Sequence, residues 1–203
     1  MISFATHYTD FKISPTYEIP QSLREILYTA WQFQYEELYE EKEKNTISLE
    51  EILNQILEAL NSDKLGHQRY IIMAIILAKA VEPTILAYKP NNSIPQEVFK
   101  YINQKLEQKN VSNNLIKSLF TQEDISYQAF DEAMDVFQQI LYIFEPEKAK
   151  NALLAMLDDC LEGYAIFPGS EGRRDLFNWW LLEVVPASWC LEYPKFIYTI
   201  NKV

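Results

Sequence analysis

Tyr70-Ile71-Ile72-Met73-Ala74-Ile75-Ile76-Leu77-Ala78-Lys79-Ala80 is the stretch on which the reading of the fold turns. It is apolar almost all round, which marks an element buried on every side. Its most apolar part, residues 70–78, is about half the ~20 residues that a membrane-spanning helix needs. A buried strand fits the composition, but Met73, Ala74, Ala78, Lys79 and the length of the pattern favour a helix. The spacing predicts a central buried helix over about residues 63–81.

Moving outward from it, Pro83 and Pro90 should interrupt the chain, since proline removes a helix donor and restricts the residue before it. Pro95 suits the first turn of a further helix, with Val98, Ile102 and Leu106 facing inward. A short helix after Ser112 would bury Leu115, Ile116, Leu119 and Phe120. Thr121 and Asp124 form a cap-like pair ahead of a long helix reaching Phe144, with Phe130, Met134, Phe137, Leu141 and Phe144 as its stripe. Pro146 should start the next helix and Gly163 end it.

Upstream, Ser48 and Glu51 have capping-box spacing. They introduce a helix whose apolar stripe is Leu49, Ile52, Leu53, Ile56, Leu57 and Leu60. An earlier helix should start near Gln21, carry Leu23, Ile26, Leu27, Trp31, Tyr35, Leu38 and Tyr39 at helical spacing, and end in the acidic stretch before Asn45. The first twenty residues, broken by Pro15 and Pro20, read as irregular. Near the other end, Ser170 can cap a helix over about residues 171–185, closed by Pro186. The tail Lys195-Phe196-Ile197-Tyr198-Thr199-Ile200 alternates in a strand-like way and can pair with the N-terminal segment as a small β-ribbon. The fold class is all-α, an irregular bundle of about seven or eight helices in one domain, residues 1–203.

Composition narrows the function classes. Four glycines among 203 residues leave no phosphate-cradling or dinucleotide-binding loop. A net charge of −11 repels phosphate backbones, so nucleic acid is not an expected partner. The charge is uneven: residues 61–120 carry +4 and residues 121–162 carry −8. Solvated faces of differing sign explain this; an acidic surface for a basic partner is the sharper reading. Cys160 and Cys190 are too isolated to ligate a metal and suit a reducing compartment. The N-terminus lacks the basic and apolar regions of a signal peptide. Together these place the protein in the cytoplasm, away from membranes.

Few residues can carry catalysis. His7 and His67 are the only histidines, and neither adjoins a nucleophile motif. The carboxylate clusters Asp158/Asp159/Glu162, Asp131/Glu132/Asp135 and Glu36/Glu37/Glu40 have spacings that all-helical enzymes use for Mg²⁺. Projected on a wheel, however, Asp131, Glu132, Asp135, Asp158 and Glu162 fall on outer faces, as solvated acids do. No catalytic residue, metal site or cofactor is therefore assigned.

The segment Gly169-Ser170-Glu171-Gly172-Arg173-Arg174 is the most unusual local feature. It joins a flexible loop, a helix start and two of the four arginines, a combination suited to an anionic group or partner. Glu171 and Asp175 could instead neutralise the arginines locally. Trp179 and Trp180 follow on a helix that is apolar nearly all round, either as core or as an interface. Ser170, Arg173, Arg174, Trp179 and Trp180 are thus the candidate ligand- or partner-binding residues. The expected function is an acidic helical protein-binding module, such as a regulator, adaptor or immunity-type inhibitor, without catalysis. It would have a protein partner, a basic one on the sharper reading of the charge, and a homo-oligomer fits as well. The alternatives are a Mg²⁺-dependent all-α enzyme using the Asp/Glu clusters and a sensor of a small anionic ligand.

Overall fold

A computed structural model describes residues 8, 10–41, 47–108, 118–120, 127–162, 165–166 and 172–198. Within these the chain is helical and contains no strand. The helices are α1 (Gln21–Gln32), α2 (Leu49–Leu60), α3 (Gly66–Tyr88), α4 (Ile94–Leu106), α5 (Gln128–Gln139) and α6 (Pro146–Leu161). A last rod, α7, is made of Arg173–Trp179, Trp180–Val184 and Val185–Trp189 in unbroken succession. The all-α bundle inferred from the helical stripes is the observed architecture.

α3 is the axis. α5 and α6 pack against it and against each other, α1 packs on α2, and the end of α7 returns to α3. One apolar core runs from Ile13 to Tyr198 and includes nearly every residue of the quoted stretch. At 23 residues α3 is long and apolar enough to cross a membrane, but two thirds of its most apolar window, 67%, is buried by its own neighbours. Packing accounts for its all-round hydropathy.

Several boundaries differ from the sequence expectation. α1 stops at Gln32 and does not run into the acidic stretch; Phe33 turns extended at φ −85°, ψ 152°. Continuing would stack Glu36, Glu37, Glu40 and Glu41 on adjacent turns, where like charges repel. The chain instead folds back. Tyr35 is buried and its hydroxyl donates to the Ala30 carbonyl at 3.2 Å, while its N–H donates to the Glu40 carboxylate at 3.0 Å.

Pro83 does not interrupt α3, which continues to Tyr88. The lost donor is tolerated because Thr84 and Ile85 beyond it are fully buried, so burial outweighs one missing hydrogen bond. Leu106, expected inward, is exposed as the last residue of α4. The helix toward Phe144 tightens after Gln139 into a 3₁₀ turn, Ile140–Tyr142.

Pro186 does not close the last helix either. The chain widens into a π turn over Trp180–Val184, with the Val185 N–H donating to the Trp180 carbonyl, and helix resumes to Trp189. A wider turn just ahead of a proline relieves the clash of its ring with the carbonyl four residues earlier. The tail does not form a ribbon among the described residues. It packs back on α7, where Trp179 Nε1 donates to the Phe196 carbonyl at 3.0 Å and the Tyr198 hydroxyl donates to Asp175 at 3.0 Å. The expected helix after Ser112, the Thr121/Asp124 pair and Gly163 lie outside the described residues.

Candidate functional site

The start of α7 is built on Gly172, whose φ of 86° is left-handed and favours glycine. Gly172 holds the N-cap position expected for Ser170, which lies outside the described residues. Arg174 turns toward α1, where Nε donates to Glu40 Oε1 at 2.8 Å and Nη2 reaches the Phe33 carbonyl at 2.6 Å and Glu40 Oε2. Its charge is answered by Glu40, a carboxylate far away in sequence.

Arg173 is only 2% exposed. Its Nε donates to the Glu162 carbonyl at 2.5 Å, and its guanidinium lies 3.7 Å from the centroid of the Tyr39 ring. Nη1 and Nη2 are buried and have no hydrogen-bond partner. That is unusual, because unpaired buried donors are costly. Arg69 makes the contrast. It is equally buried, but Nε serves the Trp189 carbonyl, Nη1 the Leu60 carbonyl and Nη2 Asp63, and it stacks on Trp189 at 3.6 Å. Arg69 is a strut between helix ends; Arg173 has donors left over.

Trp179 and Trp180 are 0% and 1% exposed and sit in the core, with Trp180 stacked 6.0 Å from Phe177. The structure thus places Arg173, buried, and Arg174, half-buried, in the first turn of α7, with the two tryptophans further along the same rod in the core.

Arg173 adjoins the acids of α5 and α6, its charge acting on Glu132 and its Nε on the Glu162 carbonyl. Asp131, Asp135, Asp158 and Glu162 are exposed, as the wheel predicted, but Glu132 and Asp159 are half-buried. α5 is packed by α3 on one side and α6 on the other, so its buried arc is wider than one stripe implies. Glu132 consequently has one carboxylate oxygen buried without a partner, while the other accepts from Gln128 at 2.9 Å. Burial raises the Glu132 pKa; the Gln128 hydrogen bond lowers it, Glu162 raises it and the Arg173 charge lowers it. Asp159 is pushed up to about 7, first by burial and then by Asp135, Asp158, Glu132 and Glu162. Every charged neighbour bearing on it is another carboxylate.

Tyr39 stands over this region, 72% exposed, in a left-handed backbone conformation at φ 59°. A non-glycine residue there is strained. It is held by its N–H donating to the Glu36 carbonyl at 2.8 Å and by its ring on Arg173.

Other chemistry is sparse. His67 donates from Nε2 to the Ile143 carbonyl at 2.7 Å, a tie between α3 and the turn after α5. Burial raises the thiol pKa of both Cys160 and Cys190, which are free. Among the described residues no three His, Cys, Asp or Glu side chains are placed to hold a metal ion. An open groove of about 770 Å³ between α3 and α4 is lined by amides and by isolated charges of both signs, such as Glu82 and Lys100.

Sequence reading missed Glu40 as the partner of Arg174, and the partial burial of Glu132 and Asp159. Asp159 did carry a signal, since it lies three residues after the buried Met156 and beside the buried Cys160, at the edge of the core stripe. Compared with known proteins, the chain matches no family model, no curated protein and no solved structure.

Proposed function

We propose that the protein is a non-catalytic helical module that binds a basic protein segment on the face formed by α5, α6 and Tyr39. The carrying observation is the row of Glu132, Asp135, Asp158, Asp159 and Glu162 along the α5–α6 seam, whose mutual repulsion no exposed cation relieves among the groups acting on Asp159. A partner's lysine or arginine side chains would relieve it. Tyr39 supplies the aromatic anchor that such interfaces favour, and its ring can accept a guanidinium on the face turned from Arg173. Electrostatic complementarity of this kind speeds encounter and selects partners more than it adds affinity.

The test is fluorescence anisotropy with a labelled lysine- and arginine-rich peptide. The double change Asp135→Lys/Asp158→Lys should weaken binding by at least about tenfold, a loss of ~1.4 kcal/mol. The control Glu25→Lys/Glu50→Lys, which alters the net charge equally on α1 and α2, should leave binding nearly unchanged. Equal loss in both variants would show only a general charge effect and would sink the proposal.

A further inference from the structure

Arg173 and Arg69 are 2% and 3% exposed, and each guanidinium lies against an aromatic ring, Tyr39 at 3.7 Å and Trp189 at 3.6 Å. The bonding sets them apart. Arg69 has Nε, Nη1 and Nη2 all hydrogen-bonded, so contact with water would add nothing. Arg173 has Nε bonded to the Glu162 carbonyl, while Nη1 and Nη2 are closed to solvent without a partner. A guanidinium in that condition is high in energy, because its donors have left water without gaining an acceptor.

The two covers differ as well. Trp189 is half-buried and sits in helical backbone. Tyr39 is 72% exposed, and its φ of 59° is a strained conformation for a residue with a Cβ. Its neighbours are fixed. Leu38 before it is buried, and Glu40 after it accepts from Arg174 Nε at 2.8 Å and from the Tyr35 N–H at 3.0 Å. The chain is pinned on both sides, so a movement confined to Tyr39 can uncover Arg173 without disturbing either pin.

Contact between the ring and the cation favours the closed arrangement. Hydration of two orphaned donors and relief of the strained backbone favour an open one. We propose that Tyr39 is a gate over Arg173, closed as in the structure and opening to a minor state in which the ring swings away and the guanidinium is hydrated. The gate places under the control of one side chain the exposure of a cation tied to the end of α6, beside the acidic face. It stands whether or not a basic segment binds that face.

The experiment uses phenylglyoxal, a dicarbonyl that adds to the terminal nitrogens of an accessible guanidinium. The intact chain is treated under native conditions, and modification of Arg69 and Arg173 is followed separately by tandem mass spectrometry. Arg173 should react at least about tenfold faster than Arg69 despite equal burial, because only Arg173 has a local opening that exposes it. With the open state held at ~0.1–10%, Tyr39→Ala should speed the Arg173 reaction by at least about tenfold while Arg69 stays slow. Tyr39→Phe keeps the ring and should react nearly as the unaltered chain does. Arg69 also reports on folding: if it becomes reactive in Tyr39→Ala, that variant has unfolded and the two arginines of the unaltered chain decide. Equal protection of Arg173 and Arg69 in the unaltered chain would mean that nothing opens. An Arg173 rate unchanged in a folded Tyr39→Ala variant would mean that the ring is not the cover. Either result overturns the proposal.

Discussion

Arg69 and Arg173 show how one residue type, buried to the same degree, takes opposite roles. Arg69 closes the C-terminal ends of α2 and α7, whose carbonyls would otherwise lack partners. Arg69→Met should therefore cost about 3 kcal/mol, lowering Tm by roughly 6–12 °C in a chain of this size. Arg173→Met forfeits one carbonyl bond but removes two unpartnered donors, and its Tm drop should be less than half as large. A thermal melt of each variant checks the contrast; equal losses would make Arg173 a strut as well. Asp159 carries the opposite lesson for a carboxylate. Its folded pKa, about 7, lies above the unfolded value, so the native state holds the proton more tightly between about pH 4 and pH 7. The charged group thus lowers stability above pH 7, and the penalty vanishes below pH 4, where both states are protonated. Asp159→Asn should stabilise the protein by roughly 1–3 kcal/mol at pH 8, the full shift being discounted for partial exposure, and by little at pH 4. Urea denaturation at the two pH values measures the difference.

Helix boundaries depend on whether local chemistry or burial dominates. At the start of α2 local chemistry is sufficient: Ser48 Oγ accepts from the Glu51 N–H at 3.2 Å, as the spacing indicates. Ser48→Ala should cost about 1 kcal/mol, read as a shift in the urea midpoint without a change in slope. At Pro83 and Pro186 burial dominates, and both helices continue past a residue that ordinarily stops them. The two prolines are accommodated differently, by a forgone hydrogen bond in α3 and by a π turn in α7. The start of α3 is set by space as well: a Cβ at Gly66 would lie 2.5 Å from the Asn61 Cα, a contact that backbone cannot yield to. Gly66→Ala should thus destabilise by about 1–3 kcal/mol, far more than its helix propensity would suggest. A gain in Tm for that variant would contradict the close packing of α2 against α3.

Among the described residues the acids are divided between faces, and the α5–α6 seam crowds them around a partly buried carboxyl. A basic partner would draw the Asp159 pKa down, so binding and deprotonation are linked. Affinity for the basic peptide should rise about three- to tenfold from pH 5.5 to pH 8, with proton release seen as a buffer-dependent heat in calorimetry. It should fall steeply from 50 to 500 mM salt, over which the Debye length shrinks about threefold. A pH-independent affinity would place the partner away from Asp159. Much of this molecule was already determined by the sequence alone. The all-α class, the burial of the stretch at residues 70–80, the Ser48 cap, the Pro146 start and the outward Asp131, Asp135, Asp158 and Glu162 all follow from periodicity and capping, which are local. Only the tertiary structure decided that Arg174 meets Glu40, that Arg173 lies under Tyr39, and that Glu132 and Asp159 are half-buried. The physical reason is one of range. A stripe on one helix records a single packing partner, whereas these contacts depend on a second neighbouring helix, or on residues more than a hundred positions away, and nothing local encodes them.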